Sequence, residues 1–165
     1  ILCRLCRQGY RHRLVKRVMI CRDIYIEQYD WEVHCYFAVN KYYTERILSV
    51  LSKLGCSDSI FYQVEKKLAR NEKNAGFTYS NPDKQESLLV VGLATSNEEY
   101  VNSISHELRH LCDDIASVYD IPSKGEEVAY LTGDIAGKLA DIIQVLICNC
   151  LDCLEQRYKK IRYYG

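Results

Sequence analysis

The chain has 165 residues, 48% of them apolar and 27% charged, which suits a single globular domain with a real core and argues against disorder. Lys+Arg and Asp+Glu both total 22, so no net field draws the chain to nucleic acid or to an anionic membrane surface. Nine cysteines would suit a disulfide scaffold, but no signal-peptide pattern accompanies them and no apolar run is long enough to span a bilayer, so the sequence reads as cytoplasmic with reduced thiols.

Residues 1–18 hold six basic side chains and no acid, which leaves the rest of the chain acidic by six. The single methionine is Met19, and a strand pattern begins directly after it. Residues 1–18 therefore read as an upstream extension, with translation starting at Met19; the rival reading is a basic arm that grips phosphates. Residues 19–165 form the domain. Arg22–Val39 reads as two strands, with Ile24 and Ile26, then Val33, Cys35, Phe37 and Val39, alternating with polar neighbours across a break near Tyr29–Asp30. Thr44–Leu54 follows as a helix closed by Gly55, and Ser59–Arg70 as a second, with Ile60, Phe61, Val64 and Leu68 on one side. After a polar linker at 71–76, Phe77–Ser80 and Ser87–Ala94 form a hairpin across Asn81-Pro82-Asp83-Lys84. Ser96 and Glu99 make a capping box for a helix that runs to about Tyr119. A long final helix extends from about Ser123 to about Tyr158. The order ββααββαα predicts an α+β domain with a small antiparallel sheet and no parallel β-α-β unit.

Within the predicted Ser96–Tyr119 helix lies His106-Glu107-Leu108-Arg109-His110, an H-E-x-x-H pattern. Residues four apart share a helix face, so both imidazoles can reach one Zn²⁺ at ~2.0–2.1 Å. Glu107, rotated by about 100°, reaches a water on the metal and not the metal itself. Zinc lowers the pKa of such a water to ~7, and the glutamate takes its proton as it attacks a carbonyl. On a helical wheel Val101, Ile104, Leu108, Leu111, Cys112 and Ile115 make the core face, and the two histidines lie almost opposite, where a cleft would be.

A zinc peptidase needs a third protein ligand. Asp113 and Ala116 stand where metzincins require Gly and His, which excludes that class. The candidates are Glu126 and Glu127, with Asp113 and Asp120 less well placed. Glu127 groups with Asp134, Lys138 and Asp141 on a charged side. Glu126 groups with Tyr130, Gly133 and Gly137, and glycines four apart allow another helix to approach closely, so Glu126 is the expected ligand. A capping box from Ser123 to Glu126 is the structural alternative for that residue. The remaining apolar stripe of the last helix is Val128, Leu131, Ile135, Leu139, Ile142 and Leu146.

The histidine motif followed by Gly125-Glu126-Glu127-Val128-Ala129-Tyr130 resembles the gluzincin group of zincin-like metallopeptidases, and most closely its small phage- and mobile-element-encoded members. Ala129 falls where gluzincins carry a small residue three after the glutamate ligand; Tyr130 stands where they commonly carry an acid. The resemblance implies a peptidase that holds one zinc per chain through His106, His110 and Glu126, with Glu107 as base. Tyr130 is a candidate transition-state stabiliser by position. It also implies that Leu88–Ala94 is the edge strand that pairs with an extended peptide substrate. The alternatives are a repressor-cleaving protease of the ImmA/IrrE type and a non-catalytic zinc- or peptide-binding domain. Cys148, Cys150 and Cys153, with Cys3 and Cys6, read as small hydrophobes and not as a second metal site, and Cys112 belongs to the core.

Overall fold

A computed structural model describes residues 19–70 and 76–147. Strands β1 (Ile20–Ile26) and β2 (Trp31–Val39) are joined by a single 3₁₀ turn, Glu27–Tyr29, and by Asp30 in the left-handed region at φ 48. Aspartate tolerates that conformation better than most side chains, which is why the break falls there. Helices α1 (Thr44–Lys53) and α2 (Asp58–Ala69) follow, then strands β3 (Phe77–Asn81) and β4 (Glu86–Gly92). The second half is helical: α3 (Asn97–Val118), α4 (Glu126–Lys138) and α5 (Ala140–Ile147).

The strand order is β1-β2-β4-β3. Both hairpins are antiparallel, but β2 and β4 run parallel, in register from Glu32↔Glu86 to Phe37↔Val91. The fold is thus mixed α and β as expected, while the expected all-antiparallel sheet is corrected to a mixed one. After β2 the chain crosses through α1 and α2, enters at the outer position as β3, and returns beside β2 as β4. β4 is therefore an interior strand, and the expected edge strand at Leu88–Ala94 is corrected too. Among the described residues the sheet edges are β1 and β3. Leu88–Val91 is apolar without alternation because both of its faces are covered.

Two cores result. Ile24, Val33, Phe37, Leu89 and Val91 pack with α3, α4 and α5, and Tyr36, Leu88 and Val90 pack with α1 and α2 on the other face. The local signals hold. The amides of Gly55 (φ 80) and Cys56 donate to the carbonyls of Ser52 and Leu51, closing α1 in a Schellman motif. Asn81 Oδ1 accepts from the amides of Asp83 (3.0 Å) and Lys84 (3.2 Å), which shapes the β3–β4 turn. Ser96 caps α3 by accepting from the Glu99 amide, while the Glu99 carboxylate reaches back to Thr95, one residue beyond the usual capping box.

Three details of the helices differ from expectation. Val101 is 48% exposed and Tyr100 is buried in its place, so the core stripe of α3 runs Tyr100, Ile104, Leu108, Leu111, Ile115. Ile60 is exposed, leaving Val64 and Leu68 as the buried side of α2. The last helix is two, because the Leu139 carbonyl accepts from both Ile142 and Ile143 and tightens the ladder locally. The stripe from Val128 to Leu146 is buried across that break; the expected continuation to Tyr158 lies outside the described residues. None of the described helices is long and apolar enough to cross a membrane.

Candidate active site

Helix α3 lies across β3 and β4 and is fastened to them by hydroxyl groups. Trp31 Nε1 donates to Ser87 Oγ (2.8 Å), Ser87 Oγ and Ser80 Oγ are hydrogen-bonded (2.8 Å), and Ser80 Oγ donates to Asp114 Oδ2 (2.6 Å). One strand position pair earlier, Thr78 Oγ1 stands 2.9 Å from Glu107 Oε2 and 3.1 Å from the Glu107 carbonyl oxygen. Glu107 and Asp114 are seven residues apart, about 10.5 Å along one side of the helix. Two hydroxyls of β3 thus grip two carboxylates of α3.

Glu107 is only 4% exposed and, with Ser87, is the buried polar exception among the described residues. Its slot exists because residue 76 is glycine: a Cβ at Gly76 would lie 2.8 Å from Glu107 Oε1 and 3.1 Å from the Val90 carbonyl oxygen. Lys67 of α2 donates to the Gly76 carbonyl and holds that stretch of backbone against the carboxylate. Close approach, not a turn, is what requires this glycine.

His106 and His110 are both exposed on the opposite side of α3 from the stripe. Their Nε2 atoms converge to 3.1 Å, with ring centroids 4.6 Å apart and planes at 82°. Two nitrogens at ~2.0–2.1 Å from a tetrahedral zinc stand about 3.3 Å apart, so the pair fits that ion. The helix therefore brings the two imidazoles together on its exposed side, while the Glu107 carboxylate turns towards the sheet at Thr78 and Gly76.

The third donor is not brought into the same group. Glu126 is the exposed first residue of α4; the N-cap is Gly125, with no side-chain cap. Among the described residues, three His, Cys, Asp or Glu donors lie within 4.8 Å of one another only at Asp23, Glu32 and His34. That cluster is on the Tyr36 side of the β1–β2 hairpin, where Asp23 and His34 face each other across the strands with Nδ1 and Oδ1 at 2.9 Å. A cross-strand hydrogen bond joins two of the three, Asp23 and His34.

Two rivals of Glu126, Asp113 and Glu127, are engaged elsewhere. Asp113 pairs with Arg109 at 2.7 Å, and the same guanidinium donates to the Ser123 carbonyl at 3.2 Å, stitching the loop before α4 onto the histidine helix. Glu127 accepts from the Tyr29 hydroxyl at 3.1 Å. Burial first, and then that carboxylate, push the Tyr29 phenol above its ordinary pKa. Lys138 pairs with Glu27 and Asp141 with Arg22, both at 2.9 Å. That charged side is largely exposed, as expected, while its end residues also reach the β1–β2 hairpin. A correction applies to the glycines. Among the described residues a Cβ at Gly133 or Gly137 would meet nothing within 4 Å, and Tyr130 is 75% exposed, so this side of α4 does not press on α3. The two helices meet one step round, where Thr132 bonds Cys112 at 3.3 Å.

Gly76, Thr78, Ser80 and Asp114 were not legible as site residues. Their one sequence signal is the small, hydroxyl-bearing alternation of β3, Thr78 and Ser80 flanked by Phe77 and Tyr79, which marks a face packed on polar groups. No family model matches the chain, and no curated protein or solved structure matches it either.

Proposed function

We propose that the chain is a zinc-dependent metallopeptidase of the gluzincin type, with His106, His110 and Glu126 as ligands to one zinc and Glu107 as general base. The observation that carries this reading is the convergence of two exposed Nε2 atoms to 3.1 Å beside a buried glutamate on the same helix. A core histidine pair would be buried, and a surface pair has no need of an acid enclosed between helix and sheet. Zinc supplies Lewis-acid polarisation and a lowered pKa for a water, to ~7.

Glu107 does the proton transfer in this scheme. Thr78 holds Oε2, so Oε1, on the Gly76 side of the slot, is the oxygen that would take a proton from the attacking water and return it to the departing amine. Enclosure between α3 and β3 keeps bulk water from competing for that oxygen. Glu126 is preferred as the third ligand because Asp113 and Glu127 have partners and the Arg109–Ser123 bond ties the loop before α4 to α3. Tyr130, one turn after Glu126 on the same open side, is the candidate stabiliser of the developing oxyanion. The substrate class is a peptide or protein.

The test is direct. Purified protein is assayed for metal content and for cleavage of casein and a peptide library, alongside Glu107→Gln. About one zinc per chain with cleavage abolished in the variant supports the peptidase. Zinc without cleavage of any substrate, in both proteins, supports a non-catalytic zinc domain.

A further inference from the structure

We propose that Thr78 is a positioning residue for Glu107: its hydroxyl holds Oε2 and fixes the carboxylate in the slot, with Oε1 against the bare Cα of Gly76. Glutamate has three side-chain torsions, and α3 alone sets none of them beyond the first. Two constraints outside the helix do so. On one side the Thr78 hydroxyl stands 2.9 Å from Oε2. On the other, Gly76 leaves room for Oε1 that any Cβ would take, at 2.8 Å. The same hydroxyl lies 3.1 Å from the Glu107 main-chain carbonyl, so one group from β3 senses both the rotamer of the acid and the height of its helix. Ser80 and Asp114 repeat the grip further along α3, which keeps the strand and helix in register when Thr78 is changed.

The catalytic consequence rests on the peptidase reading, whereas the geometric one does not. Thr78→Val keeps the branched shape suited to a strand and removes the donor; Thr78→Ser keeps the donor. In crystals of the metal-free protein, the valine variant is expected to show the Glu107 carboxylate swung out of the slot, and the serine variant to keep it in place. In the zinc-loaded protein, the valine variant is expected to lose on the order of tenfold to a hundredfold in kcat, because a misplaced catalytic group costs that much. KM should stay within about twofold, and Thr78→Ser should recover most of the rate. Thr78→Ala, which also removes the donor and adds no bulk, takes the place of valine if that chain does not fold.

A carboxylate that keeps its position in Thr78→Val overturns the proposal, as does a serine variant as impaired as the valine one. If the carboxylate moves but the parent protein never cleaves a peptide, the positioning role stands and the peptidase reading falls.

Discussion

Replacing both His106 and His110 by alanine separates metal binding from folding more cleanly than any other change. Both rings are exposed and make their closest contact with each other, so their loss removes no core packing. The metal-free variant should therefore match the parent within about 0.5 kcal/mol. The response to zinc should differ. At free zinc held at 100 times its dissociation constant, a single folded-state site stabilises by about 2.7 kcal/mol, which for a chain of this size raises Tm by about 8 °C. Thermal unfolding followed by circular dichroism, with and without buffered zinc, reads both quantities at once. The parent should shift by that amount and the double variant by nothing. A zinc shift that survives in the double variant and disappears in His34→Ala would refute the assignment and move the centre to the Asp23–Glu32–His34 cluster.

Glu107→Gln should keep the zinc-dependent Tm shift while peptide cleavage falls by ~10²–10⁴, the usual loss on removing a general base; equal cleavage by variant and parent would exclude Glu107 from that role. Glu126→Gln should weaken zinc affinity in a competition titration, whereas Glu127→Gln, which keeps an oxygen to accept from Tyr29, should bind zinc as the parent does and stay within about 0.5 kcal/mol of it. The reverse ranking would mean that Glu127 leaves Tyr29 for the metal. Ser87→Ala should cost roughly 1–3 kcal/mol in urea unfolding, because the buried Trp31 indole N–H loses its acceptor and Ser80 its partner. An unchanged midpoint would show that the hydroxyl chain under α3 does not contribute to stability.

Those elements whose determinants are local were readable from the sequence. Gly55 ends α1, Asn81 turns the β3–β4 hairpin and Ser96 starts α3, and each acts within four residues of itself. Strand order is another matter. Whether β4 pairs with β2 or lies at an edge depends on how the β3–β4 hairpin docks after two intervening helices, and no short-range pattern specifies it. The unbroken apolar run Leu88–Val91 did carry the information, since only a strand covered on both faces can afford it. Tyr100 and Val101 differ by one step of 100° on the wheel, and the larger ring took the buried position from its smaller neighbour.

The site divides along the same line. His106 and His110 lie one helical turn apart, so their shared exposed side was readable from spacing alone. Glu126 stands on another helix, and what sets the rotation of α4 is far away in the chain. Glu127 bonds Tyr29 across 98 residues, Lys138 reaches Glu27 across 111, and Asp141 reaches Arg22 across 119. These three bonds tie the charged side of α4–α5 to the β1–β2 hairpin, and Glu126, Tyr130, Gly133 and Gly137 lie on the other, exposed side. Glycines four apart permit a close helix approach without requiring one, and here the apolar residues Val128, Leu131 and Ile135 claimed the contact with the core instead. Glu126 and Glu127 are therefore distinguished by the hairpin: Tyr29 holds Glu127, and the adjacent Glu126 stands exposed at the start of α4.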